Sequence, residues 1–142
     1  MTPVEKLELI LEKLRTLKPE QFVFYDFVEE YDTKGCGTVC CVVGWFPRFF
    51  PNSGFKWQEG DLLSKIHNST RTEKIQLHLK ELLGLPISWI EYLFFGDSQR
   101  PNNNLPYLEE DADLARVIYV WEKAIAYLKK HPSVYQEQYS LT

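Results

Sequence analysis

The chain has no apolar run long enough to cross a membrane. Its longest, Val39 to Phe46 with Gly44 inside it, falls far short of the about 20 residues a span needs, so no membrane partner is expected. Cysteine is scarce. Cys36, Cys40 and Cys41 are the only three, crowded into one short stretch. An odd number with two adjacent is a poor disulfide framework and points to a reducing compartment. Excess positive charge is also lacking, with 16 Lys and Arg against 20 Asp and Glu and a formal net charge of −4. A non-specific nucleic-acid binder draws its affinity from neutralising phosphates and should be basic. The opening segment MTPVEKLELILEKLR has neither the continuous apolar core nor the small-residue cleavage site of a secretory signal. A cytoplasmic location is the expectation.

Aromatics, in contrast, are abundant. Four Trp, eight Tyr and nine Phe make up 15% of 142 residues, and that much ring surface must enter a core, an interface or a ligand pocket. The length suits one domain, large enough to bury about two-thirds of the surface its unfolded form exposes. Hydrophobic residues at 44% and charged residues at 25% are ordinary globular values.

Helical punctuation is frequent. Thr2, Pro3 and Glu5 fit a capping box at the start of a first helix, with Leu7, Ile10, Leu11, Leu14 and Leu17 at helical spacing up to Pro19. Residues 22–31, FVFYDFVEEY, read either as a short strand or hairpin or as one or two helical turns. Thr38 is placed to cap a short buried helix from Val39 to Phe46, stopped by Pro47. Residues 47–60 read as an aromatic-rich loop, and Asp61 to His67 as a short helix. A helix from Thr72 to Leu83 ends at Gly84. The next runs between Pro86 and Gly96 and is apolar nearly all round, which places it in a core or an interface. Asp111 or Asp113 caps a last long helix whose core face is Leu114, Val117, Ile118, Trp121, Ile125 and Leu128. The expected architecture is mainly α: a compact single-domain bundle of about six helices over residues 1–131, followed by a loosely ordered tail at 132–142.

The most distinctive stretch is Cys36-Gly37-Thr38-Val39-Cys40-Cys41-Val42-Val43-Gly44-Trp45, of the form C-G-T-x-x-C-x-x-G-W. It resembles the signature of an uncharacterised small-protein family of phages and bacteria. In that family a Phe-containing segment precedes the motif, an L-G-L segment ending near L-F follows it, and a final helix closes the chain. Here the corresponding stretches are Phe22 to Phe27, Leu83-Gly84-Leu85 through Leu93-Phe94, and Asp113 to Leu128. Cys40 departs from the pattern, which has a small residue there, and the C-terminal half matches by spacing. The resemblance implies a phage-type accessory protein working in the host cytoplasm, and it implies no particular reaction.

The residues themselves bear on several chemistries. Cys36, Cys40 and Cys41 with His67 or His78 supply zinc-type ligands, but without C-x-x-C spacing. Cys36 precedes a helix start, where a thiol's pKa can fall, yet His67, His78 and His131 form no recognisable signature with it. Small buried cysteines in a tight corner account for the same residues. The acidic groups at Glu29, Glu30 and Asp32 and at Glu109, Glu110, Asp111 and Asp113 lack a pocket that would raise a pKa, and the second suits a helix start. Residues 79–95 have the cadence of a helix-turn-helix, but Ile87 to Phe95 carry no Arg, Lys, Asn or Gln to read a base edge, so sequence-specific DNA is not an expected partner. Gly37 and Thr38 at a helix start form a candidate anion site, without the lysine of a P-loop.

The candidate binding residues are therefore Arg48, Phe49, Phe50, Lys56 and Trp57, since rings and arginine are the common anchors of binding sites. No metal or cofactor is expected. The reading is a protein that works by binding. It would inhibit a host defence system by occupying a host protein or by sequestering a small signalling ligand. Two alternatives stand beside it: a small enzyme using Cys36 or the anion site near Thr38, and a structural subunit that self-associates through helix 86–95.

Overall fold

A computed structural model describes residues 1–22, 41–96, 99–109 and 111–140. Six α-helices and one two-stranded sheet occupy them: α1 (Pro3–Leu14), α2 (Phe46–Phe49), β1 (Phe55–Gln58), β2 (Asp61–Ser64), α3 (Thr72–Leu83), α4 (Ile87–Phe95), α5 (Leu114–Lys130) and α6 (Ser133–Ser140). The protein is mainly α, as the helical punctuation predicts.

The helix ends follow local chemistry. The Thr2 hydroxyl accepts from Glu5 N–H at 3.1 Å while the Glu5 carboxylate accepts from Thr2 N–H at 2.9 Å. This reciprocal pairing satisfies two donors at the start of α1. Gly84 and Gly96 end α3 and α4 at φ 73° and 61°, a left-handed conformation glycine adopts without strain. The Asp113 carboxylate accepts from Arg116 N–H at 2.8 Å and starts α5.

Helix α1 lies on α5 and also touches α3, which pairs with α4. Leu7 and Leu14 of α1, Ile75 and Leu79 of α3, Ile90 and Leu93 of α4, and Val117 and Trp121 of α5 are fully enclosed. Two polar atoms tie this core across elements. The Trp121 indole N–H donates to the Leu93 carbonyl at 3.1 Å, one of the last-turn carbonyls that α4 cannot satisfy itself. The Tyr92 hydroxyl donates to the Pro106 carbonyl.

Several expectations are corrected. Pro47 does not stop a helix but sits in the first turn of α2, where its missing N–H costs nothing. A 3₁₀ turn, Val43–Trp45, leads into it. The loop expected at 47–60 and the helix expected at Asp61–His67 give way to an antiparallel hairpin, with Phe55 opposite Ser64 and Gln58 opposite Asp61. Its two-residue turn, Glu59-Gly60, has φ 51° and 86°, the doubly positive geometry whose twist suits paired strands. Helix α1 ends at Leu14 rather than running to Pro19, which opens a separate 3₁₀ turn. Residues 133–140 form a helix where a loose tail was expected, and Val134 and Tyr135 pack partly against the core. The strand-or-helix alternative at 22–31 lies outside the described residues beyond Phe22, which is buried. Of the expected Val39–Phe46 helix, residues 39 and 40 also lie outside them.

Candidate functional site

Aromatic packing around α2 builds the site. Phe46 is enclosed and meets Phe50, Phe55 and Phe94 edge-on, at ring-centre distances of 5.3, 5.8 and 6.0 Å. Edge-to-face contact is the arrangement that ring quadrupoles favour. Phe49 stacks on Trp45 at 5.4 Å and meets Phe50 edge-on at 6.3 Å. The chain then turns, with Ser53 N–H donating to the Phe50 carbonyl at 2.9 Å.

His78 of α3 anchors this turn. Its Nε2 lies 2.8 Å from the Ser53 carbonyl and its Nδ1 2.7 Å from Ser64 Oγ. A carbonyl only accepts, so Nε2 carries the proton, and Nδ1 accepts from the Ser64 hydroxyl. The ring is enclosed and stacks on Phe55 at 3.8 Å. Burial holds its pKa below the ordinary value, because the charged form would lose its hydration. Gly54 makes the approach possible. A Cβ there would lie 2.9 Å from His78 Cε1, and its φ is +89°.

The anchored turn closes one side of a groove of about 390 Å³ between α1, α2 and the C-terminal end of α3. Leu9 and Ile10 of α1, Phe49 and Phe50 of α2 and its exit, and Leu82 and Leu83 of α3 supply apolar walls. Three lining residues are polar: Lys6, Asn52 and Ser53. Lys6 Nζ donates to the Leu82 carbonyl at 2.6 Å, offsetting the partial negative charge at the end of α3. Ser53 is 8% exposed, and its hydroxyl has no hydrogen-bond partner among the described residues. A buried polar atom without a partner is uncommon.

The five candidate residues separate. Phe49 and Phe50 line the groove. Arg48 is exposed, its guanidinium 6.0 Å from the Trp45 ring centre, and Lys56 is exposed on β1. Trp57 is half-buried against Trp45. Gly37, Thr38, Cys36 and Cys40 lie outside the described residues, while Cys41 is buried. His67 faces Glu81 at 3.5 Å, and the His131 ring lies 4.3 Å from that of Tyr127. Among the described residues no three His, Cys, Asp or Glu side chains come together as a metal site. Helix α4, offered either to a core or to an interface, puts Trp89, Ile90, Tyr92, Leu93 and Phe94 inside the molecule.

Sequence reasoning missed Lys6, Leu9, Asn52, Ser53 and the wall made by Leu82. One signal was available. Leu9 falls outside the core stripe of the first helix, and Lys6, three positions before it and four before Ile10, neighbours both on the helix surface. No helix among the described residues is long and apolar enough to cross a membrane. Comparison with family models, curated proteins and solved structures finds no match to this chain.

Proposed function

We propose that this protein acts by binding, and that the groove between α1, α2 and α3 is its seat. The observation that carries this reading is an apolar groove of ligand size with the cation of Lys6 on its wall. Small-molecule sites combine apolar walls with a few placed polar groups. Phe49 and Phe50 belong to both the sequence-based candidate set and this groove. Ser64 and His78, a hydrogen-bonded serine–histidine pair, are fully enclosed and linked to backbone, which supports packing rather than nucleophilic chemistry. The resemblance of residues 36–45 supplies the biological half of the proposal: a phage-type accessory protein that interferes with a host defence system by sequestering a small signalling ligand.

Native mass spectrometry of the protein from its producing cells tests the reading, together with a Leu9→Trp variant that fills the groove. The expected result is a small-molecule mass retained by the wild type, lost on denaturation and absent from the variant. Retention of the same mass by a folded Leu9→Trp protein would place binding elsewhere.

A further inference from the structure

The polar content of the groove is one-sided. Lys6 lines it, and among the described residues no Asp or Glu does, in a chain where acids outnumber bases by 20 to 16. None of the ion pairs among the described residues engages Lys6. Its ammonium has three donors, and the Leu82 carbonyl takes one. Its remaining donors are free to meet a ligand in the apolar space that Lys6 lines. A cation with donors to spare suits a group that only accepts and carries negative charge.

We propose that the groove takes an amphipathic carboxylate, with its acyl or aryl body between Leu9, Ile10, Phe49 and Phe50 and its carboxylate accepting from Lys6 Nζ. This rests on the groove being the binding seat and adds the chemical class of the ligand. A cationic ligand is disfavoured by Lys6, and no acid among the described residues lines the walls to receive it. A neutral ligand forgoes the charge-assisted hydrogen bond from Lys6.

Titration calorimetry with octanoate and with 1-octanol separates the parts of this proposal. The wild type is expected to bind octanoate about tenfold more tightly than octanol, the size of effect a charge-assisted hydrogen bond gives. Lys6→Met should bring octanoate down to the affinity of octanol and leave octanol unchanged. Equal wild-type affinity for the two probes would overturn the carboxylate assignment while leaving the groove as a binding seat. Binding of neither probe would overturn both. The wild-type comparison stands by itself if Lys6→Met fails to fold.

Discussion

Ser64 Oγ and His78 Nδ1 are 2.7 Å apart with neither residue exposed, and the same imidazole holds the Ser53 carbonyl at 2.8 Å on its other side. One side chain of α3 thus fixes both the hairpin and the turn that carries a groove wall. Because the ring is neutral in this arrangement, its protonation opposes folding.

The sign of the pH dependence follows. His78 has an ordinary pKa of 6.5, and burial lowers it in the folded chain. Between the two values the unfolded chain binds more protons, so the stability associated with the neutral ring is complete above about 6.5 and is lost as pH falls through the folded value. Thermal melts from about pH 8 down to about pH 5 should show a falling transition temperature that is shallower in His78→Gln. Equal slopes in the two proteins would mean that other groups carry the dependence.

Gly54 and Gly60 both have positive φ, +89° and +86°, but only Gly54 is crowded, with the His78 ring 2.9 Å from a Cβ placed there. Gly60→Ala meets open space and should cost about 1 kcal/mol of backbone strain. Gly54→Ala adds a steric clash with the anchoring imidazole and should cost about 3 kcal/mol. Urea unfolding midpoints of the two variants rank them directly, and equal loss would sink the steric argument.

Trp121→Phe keeps a ring between α4 and α5 but removes the donor to the Leu93 carbonyl. Leaving that buried acceptor unpaired should destabilise the protein by about 1–3 kcal/mol. Glu122→Gln, at the next position of the same helix but exposed in its 2.8 Å pair with Arg15, should change stability by less than about 1 kcal/mol. Chemical denaturation of both variants checks the contrast.

Arg48 and Lys56 are exposed and do not line the groove, whereas Phe50 does. Arg48→Ala and Lys56→Ala should leave octanoate affinity within about twofold, the level expected for groups outside a binding centre. Phe50→Ala should reduce it by about tenfold through lost apolar contact. A large loss from either basic residue would move the site to the other side of α2.

The legible parts of the fold were those with local signals. Gly84, Gly96 and Asp113 bound their helices by their own backbone or side-chain chemistry, so neighbouring sequence suffices to find them. The hairpin was hidden for two reasons. Leu62 and Leu63 are both buried and break the alternation of a half-exposed strand, and a Glu59-Gly60 turn lacks the Asn or Asp that usually marks the doubly positive geometry. The rings of the candidate site stood out in a Pro- and Gly-rich stretch. Lys6 did not, because its place depends on the end of α3, 76 positions along the chain, and no local pattern records that approach.

The seating of α1 against α5 bears on how the chain is made. Arg15 meets Glu122 across 107 positions and Lys129 meets Glu8, so the side of α1 that lies on α5 waits uncovered until α5 has been synthesised. At about 5–20 residues per second, that wait lasts many seconds on the ribosome. During it Leu7, Ile10, Leu11 and Leu14 offer a bare amphipathic surface to chaperones, or to another nascent chain on the same message.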